Sequence, residues 1–270
     1  MNSPRFHSRP RAIALSFLIA FTAFAAAIPT QAPQASSKAG SQQPAAPRQQ
    51  KPSVTIRSII LAPGRKSATI EIVNQSAKTI TAFAYAYDIT LTDGQHSKGE
   101  KMTDYVGVIA AEEAGLHLPP PPPGQEPIKP GEVHREVFLF GEPGKVADLA
   151  VTMEVVVYMD QTSESINQEI LDRFIADRTD EVQIHSIAAE AIAAAMQDEH
   201  PFNSAHDRLL KMKHNDTGTA EGAFISAREN LEGKTFANAD EERKNLASLL
   251  ASHRSYAATF ERHAKIVRHR

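Results

Sequence analysis

The hydrophobic pattern of this chain changes its period once, near residue 160, and this change constrains the fold more than any other feature. Between residues 53 and 160, apolar side chains alternate with polar ones, as in half-buried β-strands. Beyond residue 160, apolar side chains recur every three to four residues, which is typical of amphipathic helices. The sequence therefore predicts an α+β chain, with a β-sandwich domain at 53–160 followed by a helical region at 161–270.

Six or seven short strands, separated by turn signals, are predicted in the β domain, and together they favour an antiparallel sandwich. The longest predicted strand places Phe83, Tyr85 and Tyr87 on one face and ends before Asp93-Gly94, a typical hairpin turn. The predicted strands are Val54–Leu61, Ala68–Val73, Ile80–Leu91, Val106–Ile109, Val133–Phe140 and Leu149–Met159.

Three landmarks follow one another along this domain. Asn74-Gln75-Ser76 ends a predicted strand, Tyr87-Asp88 lies in the next one, and Pro130-Gly131 precedes a late strand. In this order residues 53–160 resemble exported bacterial immunoglobulin-like domains, including the group known for an F-x-L-Y-D motif. The resemblance implies a small immunoglobulin-like sandwich that serves as an adhesive or scaffolding module and has no shared active site.

Four helices are predicted in the second half, and they favour a small bundle or hairpin. The last helix carries apolar or histidine side chains every seven residues, a packing stripe of the coiled-coil type formed by Leu246, His253, Phe260 and Val267. We expect this stripe to contact either its own domain or a second copy of the chain. The predicted helices run from Thr162 or Ser163 to His200-Pro201, over Ser204–Lys213, over Thr219–Leu231, and from near Asn238 to the C terminus.

The N-terminal residues 1–28 have the composition of a secretory signal. Three arginines precede an apolar stretch from Ala12 to Ile28, and small residues follow. Cleavage would release a periplasmic or secreted protein, whereas an uncut segment would anchor the chain in a membrane. Residues 29–52 are rich in Pro, Gln and Ala, so we expect a disordered linker.

Several function classes are disfavoured by composition. The absence of cysteine excludes disulfides, thiolate metal sites and cysteine nucleophiles. Acidic residues outnumber Lys and Arg by 32 to 29, which argues against a nucleic-acid partner. The sequence contains no G-x-S-x-G, H-E-x-x-H, G-x-G-x-x-G or Walker motif, and we predict no cofactor.

One side-chain column in the first long helix has the chemistry of a metal site. Asp177, Glu181 and His185 are spaced four residues apart, so they stack along one face of a helix. Two carboxylates and an imidazole in a helical bundle can bind a divalent metal. The alternative is that these residues face water or pair with Arg173 and Arg178.

The five consecutive prolines Pro119–Pro123 predict a stiff polyproline II segment. We interpret it as a rigid connection between two sheets; the alternative is a ligand for an aromatic groove.

Taken together, these patterns predict an exported, envelope-associated protein that acts as a non-enzymatic binding or scaffolding module. Its expected partners are an envelope protein or a second copy bound through the C-terminal helix, with membrane contact only through an uncleaved N terminus. Two alternatives remain open at this point. One is a metal-binding protein or metal-dependent hydrolase that uses Asp177, Glu181 and His185, and the other is a structural homodimer formed by the last helix.

Overall fold

The computed structural model describes residues 53–115, 124–141, 144–212, 231 and 234–268, all within one compact unit, Gln50–Arg270. The predicted signal at 1–28, the linker at 29–52 and the prolines Pro119–Pro123 lie outside the described residues, as does all of the helix predicted at 219–231 except Leu231. None of the helices in the described part of the chain combines the length and apolar character needed to cross a membrane.

Strands come first in the chain and the long helices follow, as the change of period predicts. The strands are β1 (Val54–Leu61), β2 (Ser67–Asn74), β3 (Ile80–Leu91), β4 (His96–Asp104), β5 (Val133–Leu139), β6 (Val146–Tyr158), β7 (Thr162–Ser165) and β8 (Val267–Arg268). The helices are α1 (Val106–Glu113), α2 (Gln168–Ala195), α3 (Pro201–Lys211) and α4 (Ala239–Ala264), and a short 3-10 turn occupies Pro63–Arg65.

The strands form two sheets. Sheet A has the order β1-β2-β5, and sheet B has the order β4-β3-β6-β7-β8. All strand pairs are antiparallel except β7 and β8, which run parallel. The antiparallel pattern of the β part is thus confirmed, and the two long central strands β3 and β6 form the middle of sheet B.

The two sheets share one hydrophobic core, which follows directly from the alternation in the sequence. In β2, Ala68, Ile70 and Ile72 are fully buried while their neighbours are half-buried. Phe83 and Tyr85 of β3 belong to the same core, and Tyr87 packs at its edge. Successive side chains of a strand point to opposite faces, so the predicted aromatic face of β3 is confirmed as the inner face of sheet B.

The opposite face of β3 is built from small side chains and receives a helix. Ala82 and Ala84 are fully buried against Ile170, Leu171 and Phe174 of α2. Small residues on the sheet let the helix approach closely, and its large apolar side chains fill the space. Sheet A, sheet B and α2 are therefore successive layers, and β3 contributes to both interfaces.

One predicted strand is wrong, because Val106–Ile109 forms the first turn of helix α1. The side chain of Asp104 accepts a hydrogen bond from the backbone N–H of Val106 at 3.0 Å, which satisfies a free donor at the helix start. Ala110 and Ala111 continue the helix with high helical propensity. A four-residue apolar run cannot distinguish a strand from a buried helix by its period alone.

The predicted start of the first long helix is also wrong. Thr162 and Ser163 lie in β7, and Ser163 pairs with Val157 of β6, so the predicted boundary at residue 160 falls inside sheet B. Helix α2 begins after Asn167, whose side chain accepts a hydrogen bond from the N–H of Ile170 at 3.3 Å. The helix ends at Ala195, before the predicted His200, and Pro201 then opens α3, where proline needs no hydrogen-bond partner.

The start of the last helix is confirmed at Asn238, whose side chain accepts a hydrogen bond from the N–H of Glu241 at 3.0 Å. Leu246, His253 and Phe260 are buried, as the seven-residue stripe predicts. Val267 departs from the stripe, because it is 52% exposed and lies in β8. Its N–H donates to the carbonyl of Gln161 at 2.7 Å, so the chain returns to sheet B after α4.

Asn74 organises the turn after β2 and is fully buried. Its Nδ2 donates to the carbonyls of Lys78 and Ile128 at 2.8 and 2.9 Å, and its Oδ1 accepts from the N–H of Ser76 at 3.1 Å. Asn74→Ala would remove all of these hydrogen bonds, although the Ile128 carbonyl would still accept from the N–H of Ile80 and the Lys78 carbonyl from Ser76 Oγ. We expect the free energy of unfolding to fall by about 2 kcal/mol, measured by urea denaturation.

Gln75→Ala is the matched control, since the neighbouring Gln75 side chain is exposed and should change the stability by about 0.5 kcal/mol or less. Equal stabilities of the two variants would contradict the structural role of Asn74.

Candidate functional site

A group of polar side chains, four of them buried, lies where α2 meets α4 and the end of β4. We call this group the polar seam. Its members come from three elements and alternate with apolar side chains of both helices. They are Asp104 of β4, Arg178, Glu181 and His185 of α2, and His253 and His263 of α4.

Arg178 is the most deeply buried charged side chain of the seam, with 1% of its surface exposed. Its Nε donates to Asp104 Oδ2 at 2.7 Å and its Nη2 to Asp104 Oδ1 at 3.1 Å. Its Nη1 donates to the backbone carbonyl of His263 at 2.7 Å. A guanidinium is tolerated in a protein interior only when it is paired in this way, so Arg178 links β4, α2 and α4 at one point.

His185 and His253 face each other across the two helices. Their Nδ1 atoms are 2.9 Å apart, and only 8% and 7% of the two residues is exposed. The ring centroids are 5.2 Å apart, so both Nδ1 atoms lie close to the line that joins the rings. Tyr256 lies beside the His185 ring at a centroid distance of 4.7 Å. One imidazole must donate an N–H and the other must accept it, which requires at least one neutral ring.

Burial keeps both histidines neutral. It lowers the pKa of His185 to about 3, with a further contribution from His253, and it lowers the pKa of His253 to about 4. A charged imidazole loses its hydration when it enters a helix interface, so the neutral form is favoured. The pair is therefore held by a hydrogen bond between two neutral rings at neutral pH.

Glu181 is the seam carboxyl whose charge changes near neutral pH. Burial raises its pKa to about 7, and the nearby carboxylates of Asp104, Asp177 and Asp180 raise it further. Its Oε2 lies 3.7 Å from Nε2 of His185, on the side of the ring opposite His253. The ionised form of Glu181 is thus disfavoured in the folded chain.

The structure brings only part of the predicted metal column together. Glu181 lies beside His185, whereas the Asp177 side chain is exposed a turn earlier, and Nδ1 of His185 already bonds to His253. Within the described part of the chain, no three His, Cys, Asp or Glu side chains form a group that could hold a metal ion. Metal binding by Asp177, Glu181 and His185 stays a prediction.

The sequence reasoning missed the link between Asp104 and Arg178, because the two residues are 74 positions apart. A signal for the burial of Arg178 was nevertheless present. Arg178 follows Phe174 by four residues and so lies on the apolar face of α2. A charged residue on such a face needs a partner from another element, but its spacing cannot say which one.

Two shallow depressions on the surface lie away from the polar seam. One lies over β3, β4 and β6 and is lined by residues such as Ala86, Asp88 and Thr152. The other lies beside α3 and is lined by residues such as His200 and Arg208. Neither shares a lining residue with the seam, so the buried polar groups do not line either depression.

Removing the charge of Arg178 should destabilise the whole unit. Arg178→Met would remove the hydrogen bonds to the His263 carbonyl and to Asp104, a carboxylate that remains solvated and keeps the N–H of Val106, so we expect a loss of about 2 to 3 kcal/mol in the free energy of unfolding. Urea denaturation with circular dichroism measures it.

Arg173→Met is the control, because Arg173 forms an exposed ion pair with Glu100. Exposed pairs contribute about 0 to 1 kcal/mol, so this variant should remain close to the parent. A loss of the same size in both variants would argue against a special role of Arg178.

Glu181 should make stability fall as pH rises. Its folded pKa of about 7 lies above the ordinary value of 4.5, so the folded state holds the proton more tightly over that interval. Glu181→Gln removes this loss and should be more stable than the parent by about 3 kcal/mol at pH 8. At pH 4, where the parent carboxyl is protonated in both states, the advantage should disappear.

Thermal unfolding at a series of pH values tests this, with Glu190→Gln as the control because Glu190 is exposed on the same helix. If Glu181→Gln and Glu190→Gln show the same pH dependence, the assignment to Glu181 is wrong.

Comparison with known proteins gives little information about the role of this site. No protein-family model matches the chain, and no curated protein is significantly similar to it. A solved structure of a hypothetical protein from Peptoclostridium difficile 630 is similar over 44% of this chain and 89% of that chain, with 12% sequence identity and a TM-score of 0.29. A similarity at that level does not support an argument about fold or function.

Proposed function

We propose that this protein is exported, remains associated with the cell envelope, and acts as a non-enzymatic binding or scaffolding module. In this proposal the β part is an immunoglobulin-like sandwich, and the outer face of sheet A is its binding surface. The observation that carries the proposal is an exposed group of apolar side chains on that face, Ile60, Val137 and Leu139.

Strand register places these side chains on one face of sheet A, with Thr69 between Ile60 and Val137. Ile60 of β1 pairs with Thr69 of β2, and Thr69 pairs with Val137 of β5, so the three form one row across the sheet. Leu139 follows Val137 by two residues and therefore points to the same face. Ile60, Val137 and Leu139 are 56%, 57% and 76% exposed.

A group of exposed apolar side chains such as Ile60, Val137 and Leu139 is unusual on the outer face of an antiparallel sheet, where side chains are normally polar. The inner face of sheet A belongs to the shared core, and part of the outer face of sheet B is covered by α2. Grouped exposed apolar side chains mark interaction sites more often than scattered ones do. The outer face of sheet A thus has the character of a docking surface.

Charged side chains lie next to these apolar side chains and would orient a partner on the surface. Glu71 lies 3.0 Å from Arg135 and 3.9 Å from Arg57, so one carboxylate is flanked by two guanidiniums. A register shift between Ile56 and Ser58 makes the free edge of β1 irregular. Irregular edges resist the addition of a further strand, which favours docking onto the face over extension of the sheet.

The polar seam supports a non-enzymatic role. Arg178 has its donors directed at Asp104 and His263, and His185 is bonded to His253. These groups stabilise the junction between layers and are not directed into either surface depression. Metal-dependent activity therefore has less support than binding.

Self-association through α4 also has less support than docking on sheet A. Leu246 packs with apolar residues of α2 and α3, and Phe260 packs with Val106 and Ala110 of α1. The stripe is thus occupied within the chain, and a dimer formed by α4 would need other residues of that helix.

A photoreactive amino acid in place of Thr69, at the centre of the proposed surface, would test the binding function in the native host. We expect crosslinks to a discrete envelope protein. In the same background, Val137→Lys together with Leu139→Lys should reduce the crosslinked product about tenfold or more, since central apolar contacts dominate interfaces.

Ile166→Lys is the control, because Ile166 is 77% exposed but follows β7 in sheet B, away from sheet A. An unchanged crosslink in the double variant, or hydrolase activity of the purified protein that depends on an added metal, would overturn the proposal.

A further inference from the structure

The interface between α2 and α4 contains two apolar clusters with a polar layer between them. Leu246, near the start of α4, packs with Ile184 and Ile192 of α2. Phe260, near the end of α4, packs with Val182 of α2 and with α1. His253 lies between Leu246 and Phe260, opposite His185, so the histidine pair is the polar contact between the two clusters.

We propose that the His185–His253 pair is an acid-sensitive latch, which holds α4 against α2 when both rings are neutral and releases it when the rings take up protons. The inference does not rest on the proposed binding function, because it concerns only contacts within the chain. It assigns the histidines a regulatory role in addition to their packing role.

The geometry of the pair makes it intolerant of a second proton. With 2.9 Å between the two Nδ1 atoms, a single N–H fits between the rings. Two imidazolium rings would direct two N–H groups at each other with no acceptor between them. A first added proton already places a positive charge in a layer where both residues are more than nine-tenths buried.

The surrounding charges give little compensation for that positive charge. Glu181, the nearest carboxyl, is neutralised first on acidification because its pKa is about 7. Asp104 is engaged by Arg178. Among the described residues, further charged or titratable groups lie in or around the seam: Asp177 and Asp180 on α2, Tyr256 and the seam residue His263 on α4, and Arg262 on α4 with its partner Glu113 on α1.

The sign of the pH effect follows from the histidines and Glu181 together. Released histidines regain a pKa near 6.5, so release takes up two protons on acidification below that value. Release also returns Glu181 to a pKa near 4.5, so above that pH one proton is given back. The net uptake is therefore about one proton from pH 6.5 to 4.5 and rises toward two between pH 4.5 and about 4, below which the closed pair itself begins to take up protons.

A distance measurement between the two helices tests the latch directly. The chain contains no cysteine, so Gln183→Cys on α2 and Arg254→Cys on α4 introduce two unique sites for spin labels at exposed positions. In the parent protein we expect the label distance to increase on acidification from pH 7 to about pH 4. In the variant with both His185→Gln and His253→Gln, which can still form hydrogen bonds but cannot titrate, the distance should stay constant.

His200→Gln is the matched control, because His200 is exposed at the start of α3 and its replacement should leave the opening unchanged. Equal opening in the parent and in the double glutamine variant would overturn the latch, and so would a constant distance in the parent down to pH 4.

Histidine ring signals in nuclear magnetic resonance spectra of the parent keep the proposal testable if the double variant does not fold. We expect His185 and His253 to gain their protons together with the change in label distance. If either ring titrates near pH 6.5 while the distance stays constant, the pair is not a latch.

Discussion

The buried guanidinium of Arg178 is the interaction on which the arrangement of the layers depends. A charge that is 99% removed from solvent must find partners, and Arg178 finds a carboxylate at the end of β4 and a carbonyl near the end of α4. Arg178 and its two partners belong to three different elements, so the requirement of one side chain determines how the strands, the long helix and the C-terminal helix meet. Burying the Arg178 guanidinium without these partners would be strongly destabilising, so other arrangements of the layers are disfavoured.

Packing on β3 complements this polar constraint. Large aromatic side chains on one face of the strand fill the space between the sheets, while alanines on the other face admit α2. The single strand β3 therefore determines two interfaces, a wide one between the two sheets and a close one between sheet B and α2. The helix that covers sheet B is the same helix that carries Arg178, Glu181 and His185, so the sheet positions the polar seam as well as the core.

Surface and interior have different roles in this protein. Within the seam, Arg178 is directed at Asp104 and His185 at His253, so these pairs stabilise the junction and the histidine pair makes it responsive to protons. The apolar row of sheet A has no such internal partner in the described part of the chain, and its exposure is the feature that suggests binding. The proposed binding surface on sheet A is thus separate from the interface between α2 and α4, which is proposed to respond to pH.

The sequence by itself determined that the strands come first and the long helices follow, and it determined the aromatic face of β3, the start of α4 at Asn238 and the burial of Leu246, His253 and Phe260, because these depend on local periodicity and capping. It contained no prediction of β4 or β7. It misplaced Val106–Ile109 and the start of α2, because short apolar runs and polar cap candidates fit more than one local structure. Only the tertiary structure decided that Arg178 meets Asp104, that His185 meets His253, and that Val267 joins β7. Those contacts link residues 74, 68 and 105 positions apart, so no local pattern encodes them. Burial in a low-dielectric interior selects the partners of Arg178 and His185, whereas Val267 joins β7 through backbone hydrogen bonds.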